Sequence, residues 1–114
     1  MRRNDEIRLR HMLDAAHAAM RLAHERVRSD LDEDEGLAHS IVRVVQIIGE
    51  AASHVDESVR EGNPGIPWSQ IISMRNRLVH AYHDVNMEIV WKTVQEDLPQ
   101  LVERLEQILP SEAR

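Results

Sequence analysis

The chain has 114 residues, no cysteine and a formal net charge of −6. That length can bury a core without staples, and the missing thiols exclude disulfides and thiolate metal sites. The acidic balance excludes a protein that coats nucleic acid through its overall field, so any such contact needs a local basic patch.

Hydrophobic residues make up 42% and charged residues 30%, the balance of a soluble globular protein read as one domain spanning 1–114. No apolar run approaches the roughly 20 residues of a membrane span. The start, Met1-Arg2-Arg3-Asn4-Asp5-Glu6, lacks the apolar segment of a secretory signal, so a cytoplasmic location is expected. The aromatics are Trp68, Tyr82 and Trp91 alone, too few for a base-stacking platform.

Asn4 followed by Asp5 and Glu6 reads as an N-cap with acids in the first turn, where the helix dipole favours them. Leu9, Met12, Leu13, Ala16, Met20, Ala23 and Val27 then recur at helical spacing, predicting a helix to about Ser29. Ser29 to Gly36 is acidic, ends in glycine and reads as a loop. A second stripe runs through Leu37, Ile41, Val44, Val45, Ile48, Ala51, Ala52, Val55 and Val59, wide enough for neighbours on two sides. Gly49 in its middle costs about 1 kcal/mol relative to alanine, which close approach of another backbone would explain. Glu50 reads either as a partly exposed acid or as a buried partner for an arginine.

Glu61-Gly62-Asn63-Pro64-Gly65-Ile66-Pro67 is a dense turn signal, with Pro67 suited to the first position of a third helix. Trp68, Ile71, Ile72, Leu78 and Val79 form its apolar side; Ser69, Ser73, Asn76, His80 and His83 form a polar one. Asp84-Val85-Asn86 breaks this helix, and Asn86 or Asp84 can cap the next. Met87, Trp91, Val94, Leu98, Leu101, Leu105 and Ile108 then make the most regular seam in the chain, which Pro99 should kink or divide. With no strand pattern anywhere, the expected fold is all-α, an antiparallel four-helix bundle whose last helix is kinked or split at Pro99.

The third helix carries the candidate chemistry: Arg75-Asn76-Arg77-Leu78-Val79-His80-Ala81-Tyr82. Asn76 and His80 share a face, whereas Arg75 lies about 140° around the axis from His80. A two-fold axis beside this helix would join two Arg75 and two His80 side chains and double a patch that includes Arg77 and His83. His80 can take a proton from a ribose 2′-hydroxyl or give one to a leaving 5′-oxygen. Arg75 can stabilise the charge developing on phosphorus, and Asn76 can orient the imidazole or the substrate. Such cleavage needs no metal and no cofactor. From residue types alone, a solvated polar helix face is the competing reading.

The octad resembles the Arg-x4-His-x-Tyr motif of the HepT-like branch of the HEPN superfamily. Ile48-Gly49-Glu50-Ala51-Ala52, Ile66-Pro67-Trp68, Ile89-Val90-Trp91 and Asp97-Leu98-Pro99-Gln100-Leu101 are similar to that family's pattern and stand in its order. The resemblance implies a HEPN-like bundle dimerising through the motif-helix side. It implies the toxin of a type II toxin–antitoxin pair, a metal-independent endoribonuclease with Arg75 and His80 as catalytic pair and Asn76 in support. It also implies a nucleotidyltransferase antitoxin of the minimal (MNT) type, which neutralises the toxin by transferring AMP to Tyr82. The RNA, tRNA or mRNA, stays open.

Tyr82 has its own physical reading, because an adenylate there would set bulk and negative charge at the mouth of a basic cleft. The alternative is a ring packed on the core with its hydroxyl at the surface. His80, His83 and Asp84 lack a third well-placed metal ligand. His11, His17, His24, His39 and His54 read as surface or satisfied histidines. The rival for the whole chain is a non-catalytic helical module that binds a partner protein or nucleotide.

Overall fold

The computed structural model describes residues 1–80 and 86–110, with Val79 and His80 described by backbone alone. Seven α-helices run along these residues: α1 (Arg3–Ala23), α2 (Asp30–Glu33), α3 (Glu35–Ser53), α4 (Glu57–Glu61), α5 (Trp68–His80), α6 (Met87–Lys92) and α7 (Leu98–Ile108). No strand occurs among the described residues, and the fold is all-α. Four arms make the bundle: α1, α3, α5, and a fourth formed by α6 and α7 together. The second arm, α3, packs against α1 on one side and α5 on the other, which accounts for its wide apolar face. Leu9, Met12, Ile41, Ile48, Leu78, Val90, Val94 and Leu105 are the largest wholly buried side chains and draw on every arm.

The first helix departs from expectation at both ends. Its cap is Arg2, not Asn4, and makes no side-chain hydrogen bond. Asp5 turns inward instead, and its carboxylate accepts the backbone N–H of Asp56 at 2.9 Å, joining α1 to the start of α4. At the other end the helix stops at Ala23, leaving Val27 exposed. Glu25 takes φ 58, and the Asp30 carboxylate captures the Val27 N–H at 2.7 Å. That short-range bond competes with helix continuation.

The acidic stretch from Ser29 to Gly36 is not a loop. It holds α2, and Asp34 caps α3 by accepting the Leu37 N–H at 3.0 Å. Gly36 therefore lies inside the first turn of α3 and terminates nothing. The second apolar stripe is also divided, because α3 ends at Ser53 and Val59 belongs to α4. Asp56 caps α4 through the Ser58 N–H, and bonds from the Ser58 backbone and hydroxyl hold its carboxyl below the ordinary value of 3.8.

The turn before α5 is fixed by side chains. Asn63 Nδ2 donates to the Val59 carbonyl at 2.8 Å, and Trp68 Nε1 donates to the Asn63 carbonyl at 3.0 Å. Trp68 is buried, so these bonds anchor the first turn of the motif helix to the core. Near its far end, Gln46 on α3 donates to the Leu78 carbonyl at 3.2 Å, in the region where a helix runs short of internal donors. Both ends of α5 are thus tied down.

Asn86 caps α6 through the Glu88 N–H at 2.9 Å; the other proposed cap, Asp84, lies outside the described residues. The fourth arm is split as Pro99 suggests, by a π-helical turn at Thr93–Asp97. Proline has no N–H to give the carbonyl four residues back, and its ring crowds that position. The Leu98 N–H reaches the Thr93 carbonyl five residues back, and α7 begins with proline in its first turn. Val94, Leu98, Leu101 and Leu105 are buried along the seam; Met87, Trp91 and Ile108 are half-buried at its ends.

Candidate active site

Arg75 is held between α3 and α5. Gly49 provides the space: a Cβ placed there would meet the Arg75 Cβ at 2.2 Å and the Ile71 carbonyl at 3.0 Å. The arginine stem therefore rests on the backbone of α3, as the small residues around Gly49 suggest. Its head pairs with the neighbouring acid, Arg75 Nη1 lying 3.3 Å from Glu50 Oε2. The other oxygen of that carboxylate lies 3.1 Å from Nε2 of His54, the residue that caps the C-terminus of α3. Arg75 is 21% exposed and Glu50 56%, so the pair sits at the rim of the helix crossing, not in the core. Both readings of Glu50 hold in part, since it is exposed and it partners an arginine.

Arg75 Nε is buried and has no hydrogen-bond partner among the described residues. Asn76 and Arg77 are exposed on the following turn. Arg77 lies about 200° around the axis from Arg75 and so faces a different flank. It lines a cleft of about 670 Å³ between α5 and the α6 arm, opposite Lys92, Thr93 and Asp97. Val45, Ile48, Ile71, Met74, Leu98 and Leu101 supply the apolar lining; Ser69, Gln70 and Ser73 add hydrogen-bonding groups. Apolar walls with a few polar and charged groups are the usual make-up of a ligand-binding cleft.

The expected site residues therefore divide. Arg75 is fixed by α3, while Asn76 and Arg77 are displayed to solvent on two flanks of α5. The His80 backbone completes α5; its side chain, Tyr82 and His83 lie outside the described residues. Sequence reading did not find Lys92, which the fold brings to the cleft from another arm. It also left His54 as one scattered histidine, although its spacing of four from Glu50 was a usable signal. No group of three or more metal-ligating side chains occurs among the described residues. No described helix is long and apolar enough to cross a membrane.

Comparison with known proteins bears on what this arrangement serves. Residues 12–108 match the family model described as ribonuclease HepT-like, and the chain belongs to that family. A protein of Thermococcus cleftensis named "Probable ribonuclease HepT" is 31% identical over 108 residues, covering 95% of this chain and 98% of the relative. A protein of Caldanaerobacter subterraneus subsp. tengcongensis, provisionally named an RNase, is 36% identical over 83 residues, covering 73% and 74%. One from Methanocaldococcus jannaschii, provisionally named likewise, is 26% identical over 95 residues, covering 83% and 87%. No solved structure matches the chain.

Proposed function

We propose that the protein is a metal-independent endoribonuclease, the toxin of a type II toxin–antitoxin pair. The observation that carries the reading is the family match across residues 12–108, which contains the whole motif helix. The geometry supports it against the bland alternative, because a solvated helix face does not require its arginine to be held by a glycine and a carboxylate of another helix.

In this reading His80 is the general base or acid at the ribose 2′-hydroxyl or the leaving 5′-oxygen. The 2′-oxygen attacks phosphorus, the bond to the 5′-oxygen breaks, and a 2′,3′-cyclic phosphate and a 5′-hydroxyl result. Arg75 stabilises the charge on the phosphoryl oxygens, and Asn76 supports the pair. Arg77 and His83 contact the RNA, with Lys92 added across the cleft from Arg77. The site is completed in a homodimer, since Arg75 and His80 are separated by about 140° on one helix. An MNT-type nucleotidyltransferase neutralises the toxin by AMP transfer to Tyr82, in the cytoplasm.

The test is RNA cleavage by the purified protein with a chelator present. Arg75→Ala and His80→Ala should each reduce cleavage by about 100-fold or more while the helical fold persists. A His80→Ala protein that cuts at the wild-type rate removes the proposed base. For the antitoxin arm, Tyr82→Phe should remain toxic and escape neutralisation, and co-expressed wild type should carry adenylate on Tyr82 by mass spectrometry.

A further inference from the structure

We infer that Glu50 is a positioning residue that fixes the guanidinium of Arg75 in its working orientation; the inference rests on the ribonuclease reading above. Three observations converge on it. The Arg75 stem is seated on Gly49, where no other residue leaves room for it. Its head is held at 3.3 Å from Nη1 to one oxygen of Glu50. The second oxygen of the same carboxylate is engaged by His54 Nε2 at 3.1 Å, so the Glu50 side chain is itself restrained.

Glu50 meets the guanidinium at Nη1. A phosphoryl oxygen can then be met by an arginine whose rotamer is already set. An arginine otherwise loses much side-chain freedom when it engages a ligand, and small misplacements at a reacting centre are costly. An ion pair between groups this exposed contributes little to folding stability. The loss of Glu50 should therefore be read in the rate and not in the melt.

The experiment uses the full chain with Glu50→Ala and Glu50→Gln, the second keeping the size and removing the charge. Steady-state cleavage of an RNA oligonucleotide should show kcat lower by about 10- to 100-fold in both variants. KM should stay within about two-fold, because the interaction matters mainly in the transition state. NMR of the arginine Nε–Hε groups should show Arg75 ordered in the wild type and mobile in both variants, with the melting temperature unchanged. Wild-type kcat in Glu50→Gln overturns the inference, as does an Arg75 signal that stays ordered. A wild-type protein that does not cleave RNA at all overturns the ribonuclease reading and this role with it, whatever the NMR shows.

Discussion

Gly49 and Arg75 occupy one space: the Cβ that any other residue would carry at position 49 falls 2.2 Å from the arginine's own Cβ. The atom in the way is the root of a side chain and not its flexible tip, so it cannot swing aside. The two helices can meet here only because one of them has no side chain. The candidate catalytic arginine thus emerges where α3 and α5 pack closely at Gly49.

Gly49→Ala should therefore destabilise the protein although alanine is the better helix former. Helix propensity alone would gain about 1 kcal/mol. Forcing the helices apart costs about 1–3 kcal/mol. A net loss of up to about 2 kcal/mol in a denaturant titration is expected. RNA cleavage should fall further than the unfolded fraction explains, because Arg75 moves with α5. A variant as stable and as active as wild type would place the contact elsewhere.

Much of this architecture is legible in the sequence, and the gaps have physical causes. The Gly49-Glu50-Ala51-Ala52 run announces a close approach, and Asn86 announces a cap, because both signals are local. The loop reading of Ser29 to Gly36 fails because Asp34 satisfies the first turn of α3 before the glycine arrives. The Asn4 cap fails because Asp5 finds a partner 51 residues away. Which arginine Glu50 would meet depended on the height at which α3 crosses α5, and periodicity does not encode that. Lys92 reaches the cleft through the π-helical arm, and its composition gave no sign of it.

A composite site at a dimer interface, as proposed, predicts complementation. Arg75→Ala and His80→Ala homodimers should each be inactive. If each site takes Arg75 from one protomer and His80 from the other, a mixed dimer keeps one intact site of two. Equal mixing with subunit exchange then restores roughly a quarter of wild-type activity, since half the dimers are mixed. No recovery, with exchange verified by mass spectrometry, would put both groups of a site in one chain.

Arg77 and Lys92 line the cleft together and should behave as phosphate contacts. For single-stranded RNA each lost contact should reduce the slope of log affinity against log salt by about 0.7. Arg77→Ala and Lys92→Ala are expected to weaken binding of unrelated sequences alike, by roughly equal factors. Fluorescence anisotropy over a salt series measures both. An unchanged slope in the double variant would take the RNA path off this cleft.

The junction of α1 with α4 should impart an acid dependence that does not involve the active site. The Ser58 N–H and hydroxyl both bond to Asp56 Oδ1 at 2.9 Å and hold its carboxyl below 3.8, aided by Arg2 and Arg60 and opposed by partial desolvation. Because the folded value is the depressed one, the stability it contributes is present above the unfolded value, about 3.9. It is lost as pH falls through the lower, folded value. Asp56→Asn keeps an acceptor for the cap and removes the titration. Below about pH 4 the melting temperature of the wild type should therefore fall more steeply than that of Asp56→Asn, with parallel curves above about pH 5. Parallel curves throughout would mean that the carboxylate at this cap carries no pH-dependent share of stability.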